Sequence, residues 1–484
     1  MKKLIFSSRN NDTTTRKALR GDAYLRLFRG VAVERAWWES LWPSGRHLVR
    51  AAAFGGAQRN LVLTKLSAAA VLGAQIKDTP PEITCAPAPA RGRSYFKLPG
   101  VRIGLLPRHS AVVRRDITLR ADGTVAAASA AHATNADTGA EALPAVRVQC
   151  TSPACTMYDV AAAYPLAESL VVLNSLLAQA SAAAAREAVL KKERAMLASL
   201  QTMTVVGKGV RRSTENLDYL TMTEAECDAE AARFARENGR ALRAGGRPLS
   251  RKGIRRDDLT SETVAALLRA KSFPAFVAQV DSCRQHGLNT EAAAALLEEC
   301  LALVWKNRGH RGVRHALLAF LLATDQCESV GESLSCARFF ELGLSQPTLQ
   351  VEFHAPGSDK PVYRVDGAWD LRKARRGKKP APFPDKMPLG DPAPPASKQA
   401  LLFEFDGRGK YADSGMLQGR DRSDVLAAQI KREADLREGG YEIVRATWEE
   451  LQSQADLARK LSRFAIPALR KRRRRKPRPP SDAS

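Results

Sequence analysis

The chain has 484 residues, enough for about two to four domains of ordinary size. Hydrophobic residues make up 44% and charged residues 26%, as in a globular protein, so the composition excludes a largely disordered or membrane-spanning chain. Lysine and arginine outnumber aspartate and glutamate by 76 to 51, and this net charge of +25 favours a polyanionic partner such as DNA. Solvated surface could account for part of the excess, and no basic amphipathic helix with an aromatic face indicates a membrane.

The 8 cysteines are scattered without a CxxC pair or zinc-ligand spacing, which favours reduced thiols over a disulfide framework. Residues 1–8 lack the apolar core of a secretion signal, and the most apolar run, residues 316–323, is too short to span a bilayer. We therefore expect a cytoplasmic, nucleoid-associated protein.

Residues 1–60 read as a small basic module. Its predicted elements are a short helix at Thr15–Gly21, an alternating hairpin at Tyr24–Val33 and a helix at Ala36–Phe54 interrupted near Pro43. Helices combined with a basic hairpin are typical of a winged helix-turn-helix, in which Arg26 and Arg29 would contact DNA. A small structural cap is the alternative interpretation.

Residues 61–178 predict a mixed α/β domain without a catalytic constellation. The elements expected there are a helix at Leu61–Leu72, strands at Glu82–Ala86, Val101–Leu105 and Val146–Gln149, a helix beginning at Pro153, and a helix at Leu166–Leu177.

Residues 179–310 predict a helical insertion, which serves either architecture or direct DNA contact. Its helical stretches are Ser181–Leu200, Ser261–Ala270, Ala275–Gln285 and Thr290–Val304, and Gly239–Arg256 reads as a mobile basic loop.

Residues 311–466 form the candidate catalytic domain. Its predicted elements are helices Val313–Ala323 and Glu332–Leu342, strands Leu349–His354, Val362–Trp369 and Leu401–Asp406, helix Asp424–Glu438, strand Tyr441–Ala446 and helix Trp448–Phe464. The order predicts a mixed sheet flanked by helices, and the whole chain a multidomain α+β protein. The proline-rich stretch 372–398 is expected to be a loop.

The last residues, 467–484, form a basic tail that we expect to be disordered. We expect it to bind phosphate without sequence preference through a run of neighbouring cations, Arg470, Lys471, Arg472, Arg473, Arg474 and Arg475.

The predicted strand at residues 401–406 contains two acids that indicate a catalytic function. Alternation places Leu401, Phe403 and Phe405 on one face, and Glu404 and Asp406 on the other, about 7 Å apart. Asp366 belongs to another predicted strand. Carboxylate oxygens are the ligands that Mg²⁺ takes, usually one or two from the protein, so three acids on two strands suggest a nuclease with Mg²⁺ or Mn²⁺.

The last third of the chain resembles the PD-(D/E)xK nuclease superfamily, in the branch related to very-short-patch repair endonucleases. The similar motifs are Gly331-Glu332-Ser333, Arg364-Val365-Asp366, Phe403-Glu404-Phe405-Asp406-Gly407 and Gly440 to Trp448. The resemblance implies that Asp366, Glu404 and Asp406 bind the metal and that Glu332 joins them. It also implies phosphodiester hydrolysis by a metal-activated water.

The resemblance also implies a catalytic lysine, but the residue two after Glu404 is Asp406. Lys410 is the nearer substitute, and Lys431 or Gln429 on the following helix are the alternatives.

The N-terminal half resembles abortive-infection type antitoxins of actinobacteria, which implies a DNA-binding front and a possible toxin partner. The similar motifs are Tyr24–Val33, Lys65–Ala70, and Thr151–Ala154 with Asp159. Two hypotheses follow. One is a DNA endonuclease of phage defence or DNA repair. The other is a repressor or antitoxin whose nuclease fold is inactive. An RNA substrate is less favoured because aromatic residues for base stacking are few.

Overall fold

A computed structural model describes the parts of the chain that carry the fold: residues 4–6, 22–28, 30–58, 60–88, 100–106, 110–120, 145–205, 259, 261–355, 361–371, 383–384, 386–388, 400–406 and 422–467. Side chains are described within these ranges except at 192–205, 422–426 and 428. The fold is mixed α+β with several sheets, as the sequence predicts. The chain divides into two compact units, and residues 243–287 with 321–484 form the second.

Within the described residues, the strands lie in three sheets. They are β1 (Leu4–Phe6), β2 (Tyr24–Phe28), β3 (Val31–Glu34), β4 (Leu61–Leu63), β5 (Ile83–Pro87), β6 (Val101–Ile103), β7 (Val112–Ile117), β8 (Val146–Thr151), β9 (Thr348–His354), β10 (Pro361–Asp370), β11 (Lys386–Pro388), β12 (Ala400–Asp406) and β13 (Glu442–Thr447).

The helices vary from one turn to eleven turns in length. They are α1 (Arg35–Ser40), α2 (Pro43–Ala57), α3 (Lys65–Val71), α4 (Pro153–Ala163), α5 (Leu166–Val205), α6 (Ser261–Leu267), α7 (Phe273–Cys283), α8 (Glu291–Lys306), α9 (Val313–Leu322), α10 (Val330–Glu341), α11 (Arg422–Glu438), α12 (Trp448–Gln452) and α13 (Gln454–Leu461).

The first unit contains a three-stranded antiparallel sheet in the order β1-β3-β2 and a five-stranded sheet in the order β6-β5-β4-β8-β7. The predicted hairpin is confirmed, and Gly30 at its turn adopts φ 81°, which a side chain would disfavour. The prediction of one helix from Leu61 is wrong, because Leu61–Leu63 is a strand between β5 and β8. Periodicity alone does not distinguish a short buried strand from a helix.

Helix α5 merges two predicted helices and runs without interruption past residue 178. By length and composition, its Leu166–Lys191 segment could cross a membrane, with a mean hydropathy of 1.3. However, 61% of its most apolar window is buried in the protein, as in the core helix of a soluble domain, so the segment does not discriminate between the two environments.

In the second unit, the sheet order is β11-β9-β10-β12-β13. Strand β10 pairs antiparallel with β9 and β12, whereas β12 and β13 run parallel. The predicted succession of helices and strands is confirmed with two corrections. Lys386–Pro388, inside the predicted loop, is an edge strand, where proline is tolerated. The last helix is divided at Ser453, whose side chain caps α13 by accepting from the backbone N–H of Asp456.

Aromatic packing fixes α10 against the middle of this sheet. The ring of Phe339 lies 4.9 Å from the rings of both Trp369 and Phe403, in edge-on arrangements. A separate buried cluster includes Phe353, Leu402 and Leu436, so the central strands have apolar contacts on more than one side. This packing determines where the acidic side chains of β10 and β12 emerge.

Several predicted features lie outside the described residues. They are the helix Thr15–Gly21, the loop Gly239–Arg256, Arg29, Lys410, and the tail cations Arg470, Lys471, Arg472, Arg473, Arg474 and Arg475.

Candidate active site in the second unit

Neighbouring strands and one helix carry the acids that the sequence singled out. Strands β10 and β12 pair with Gly367 opposite Phe403, next to Asp366 and Glu404. Strand β13 then places Arg445 beside Glu404. Helix α10 supplies Glu332 from its first turn. The sheet therefore brings these acids into one region, although their surroundings differ.

Glu332 and Asp366 are two carboxyl groups that interact electrostatically. Burial and, second, the negative charge of Asp366 raise the pKa of Glu332 to about 8. One oxygen of Asp366, Oδ2, accepts a hydrogen bond of 2.7 Å from the backbone N–H of Phe405, which fixes this carboxylate between β10 and β12. Glu332 therefore retains its proton at neutral pH, unlike an ordinary glutamate.

Neutral donors surround the carboxyl group of Glu332. It accepts from the hydroxyl of Ser329 at 2.8 Å, the backbone N–H of Glu328 at 2.9 Å and the amide of Gln350 at 2.8 Å. Ser329 in turn accepts from the N–H of Glu332 at 3.2 Å, so Glu332 also takes part in capping α10. A helix-capping role and a site role thus coincide in this residue.

Two arginines hold Glu404. Arg432 of α11 forms a salt bridge with its Oε1, and the Nε of Arg445 lies 3.2 Å from its Oε2. Arg445 also contacts Glu433 at 2.9 Å, and Arg432 donates to the carbonyl of Arg364. The Glu404 side chain is only 12% exposed, so both of its oxygens are committed to guanidinium groups away from bulk water.

Sequence reasoning missed both arginines. Arg445 lies within the motif quoted for the resemblance, and the parallel pairing of β12 with β13 would have placed it beside Glu404. Arg432 follows Lys431, the predicted alternative lysine, which is exposed. Adjacent helical residues face different directions, so this single step along α11 decides which cation reaches the carboxylate.

The other predicted site residues have less definite places. Asp406 ends β12 opposite Thr447 and is partly exposed. Thr447 and Glu450 form a capping box at the start of α12. In the first unit, Arg26 is exposed on β2, as a DNA contact requires.

The carboxylates of Glu332, Asp366 and Glu404 are the type of ligand that a hard cation prefers. Their arrangement, however, does not suit a metal ion. Across the described part of the chain, no three histidine, cysteine or acidic side chains are grouped so as to hold a metal ion. Glu404 would have to leave Arg432 or Arg445 before either of its oxygens became available. The residues as arranged therefore do not fit a three-carboxylate metal centre.

The chain matches no protein-family model, and neither a curated protein nor a solved structure matches it at a significant level.

Proposed function

We propose that this is a DNA-binding protein whose second unit is a nuclease domain that hydrolyses DNA with Mg²⁺ or Mn²⁺. The observation that carries the proposal is the close approach of two acids, Glu332 and Asp366, beside β12. A buried carboxyl group whose pKa is raised by burial and by a neighbouring acid is unfavourable in a purely structural element, so such groups are candidates for a functional site. The order of helices and strands and the motifs around Glu404 support a restriction-endonuclease-like fold.

DNA binding by the first unit is part of the same proposal. Arg26 is exposed on the β2–β3 hairpin, and Trp42 at the start of α2 is 79% exposed. A basic hairpin next to two short helices supports a winged-helix module that contacts phosphates, and the net charge of +25 supports DNA as the partner. The resemblance to antitoxins adds a cognate toxin as a proposed partner and phage defence or DNA repair as a setting.

One observation favours a second candidate function. Because Arg432 and Arg445 neutralise Glu404, this carboxylate does not repel a phosphate as a bare acid would. A repressor or antitoxin with an inactive nuclease fold would benefit from such neutralisation. The two candidates differ in whether Asp366 and Glu404 take part in bond cleavage.

Plasmid cleavage tests the proposal. Purified full-length protein is incubated with supercoiled plasmid in Mg²⁺, Mn²⁺ or EDTA, beside Asp366→Ala and Glu404→Ala. Glu438→Ala, which removes an exposed acid of α11, is the matched control. We expect metal-dependent nicking by wild type and the control, reduced to background in both site variants.

Circular dichroism and thermal unfolding establish that the variants are folded. DNA that is bound but uncut by wild type under every metal condition contradicts hydrolysis and favours the repressor function.

A further inference from the structure

We propose that Arg432 and Arg445 form a binding site for a phosphate of the DNA backbone, which Glu404 occupies in the absence of DNA. The inference rests on the proposed function, since it assumes that the second unit meets DNA. Pairing of Glu404 with the two arginines explains why the carboxylates do not form a metal centre as arranged. The guanidinium groups of Arg432 and Arg445 together form the arginine pair.

The arginine pair converges from separate elements. Arg432 comes from α11 and Arg445 from β13, and each contacts a different oxygen of one carboxylate. A phosphodiester, like a carboxylate, offers two anionic oxygens to planar guanidinium donors, and arginine recognises both groups by paired hydrogen bonds. The geometry that holds Glu404 is therefore also suited to a backbone phosphate.

The arginine pair is accessible to a ligand, whereas Glu404 is recessed. The side chains of Arg432 and Arg445 are 29% and 27% exposed, against 12% for Glu404. Both arginine side chains are thus more accessible to an approaching phosphate than the Glu404 side chain. Steering by these charges requires no prior opening of the core.

Arg432 has a donor to spare. Its Nη2 serves Glu404 and the carbonyl of Arg364, but its buried Nε finds no acceptor among the described residues. A buried N–H without a partner is unfavourable, and such groups are commonly satisfied by an ion or water. A phosphate oxygen would supply the missing acceptor.

Exchange of acceptors connects the arginine pair to the acids. If a phosphate replaces Glu404 on Arg432 and Arg445, the carboxylate is released beside Asp366. No bond forms or breaks in this step; one anion replaces another on the same cations. The arginine pair thus positions Glu404, and phosphate binding changes the partners of this carboxylate.

The salt dependence of DNA binding tests the proposal, since each phosphate contact contributes about 0.9 to the slope of log K against log salt. Duplex DNA is titrated with full-length protein in EDTA at several salt concentrations, so cleavage plays no part. For Arg432→Gln/Arg445→Gln we expect the slope to fall by about 1 to 2 in magnitude. Arg437→Gln, which removes an exposed arginine of α11 paired with Glu433, should leave it unchanged.

Glu404→Gln moves binding in the opposite direction. Without the carboxylate charge both arginines are available to phosphate, so affinity at low salt should rise by about 3- to 10-fold. Arg432→Lys/Arg445→Lys guards against misfolding, because it keeps both charges. It should retain the slope yet bind more weakly than wild type, since lysine lacks the planar donor fork.

The outcomes separate the arginine pair from the nuclease proposal. A wild-type slope in the glutamine double variant, with no gain for Glu404→Gln, overturns the arginine pair even if the protein cleaves DNA. A reduced slope supports it even if no metal activates cleavage. Failure of wild type to bind DNA at all overturns both proposals together.

Discussion

Glu332 and Glu404 belong to the same unit, but their charges are accommodated in opposite ways. Glu332 is surrounded by a hydroxyl, an amide and a backbone N–H, with Asp366 as the nearby charge, and its raised pKa keeps it protonated. Glu404 faces two guanidinium groups. Burial and, second, the negative charge of Asp366 thus favour the protonated form of Glu332, whereas Glu404 is kept beside two cations.

The difference shows that two acids near one another need not share a function in the absence of ligands. A neutral Glu332 can lie close to Asp366 without full charge repulsion. An ion-paired Glu404 is tolerated at low exposure because the arginines replace its hydration. The stability of each arrangement therefore responds differently to pH, to salt and to overpacking of the neighbouring side chains.

The largest expected effect comes from Gly331→Ala, which disturbs the Glu332 side alone. A Cβ at Gly331 would lie 2.1 Å from the ring of Phe405, so α10 or the ring has to move. Overpacking of this kind costs about 1–3 kcal/mol, and the better helix propensity of alanine returns about 1 kcal/mol at most. We expect a net loss of about 2 kcal/mol in chemical denaturation.

The control for this prediction is Gly309→Ala, where a Cβ meets no atom within 4 Å. It should change stability by about 0.5 kcal/mol or less. Equal stabilities of the two variants would show that α10 is not held closely against β12, and the environment assigned to Glu332 would lose its basis.

How far the sequence predicts this site depends on the range of the interactions. Strand alternation placed Glu404 and Asp406, and a helix start placed Glu332, since both follow from local periodicity. The partners of Glu404 come from residues about 28 and 41 positions later, so no local pattern assigns them. Their identity required the parallel pairing of β12 with β13 and the facing direction of α11.

Local patterns also failed where tertiary context overrides propensity. Lys386–Pro388 forms a strand although it ends in a proline and Pro384 lies just before it. An edge strand tolerates proline because it needs fewer backbone N–H donors. Leu61–Leu63 forms a strand because it lies between two others, although its composition equally suits a helix. Pairing partners far along the chain decided both cases.

The pH dependence of stability sharpens the comparison. Glu332 has a folded-state pKa of about 8, above its ordinary value of 4.5. Between these values the unfolded chain has released the proton that the folded chain keeps, so stability falls as pH rises through this window. Glu332→Gln removes this penalty, at the expense of one acceptor for its three donors.

We therefore expect the stability of Glu332→Gln relative to wild type to increase steadily from pH 5 to pH 8. Urea denaturation at both pH values measures it. A pH-independent difference for Glu332→Gln would mean that Glu332 is ionised like an ordinary glutamate.

The smallest expected effect concerns the contact between Glu404 and Arg445, measured as a double-mutant cycle with glutamine at each position. Because both groups are partly shielded, we expect a coupling of about 1 kcal/mol that falls in high salt. The exposed Asp456–Arg459 pair, with 74% of the arginine side chain in solvent, should give about 0.3 kcal/mol. Equal couplings would mean that water screens Glu404 as it screens a surface acid. A stronger, salt-sensitive coupling at Glu404 would instead measure the free energy that a phosphate has to offset when it displaces the carboxylate from Arg445.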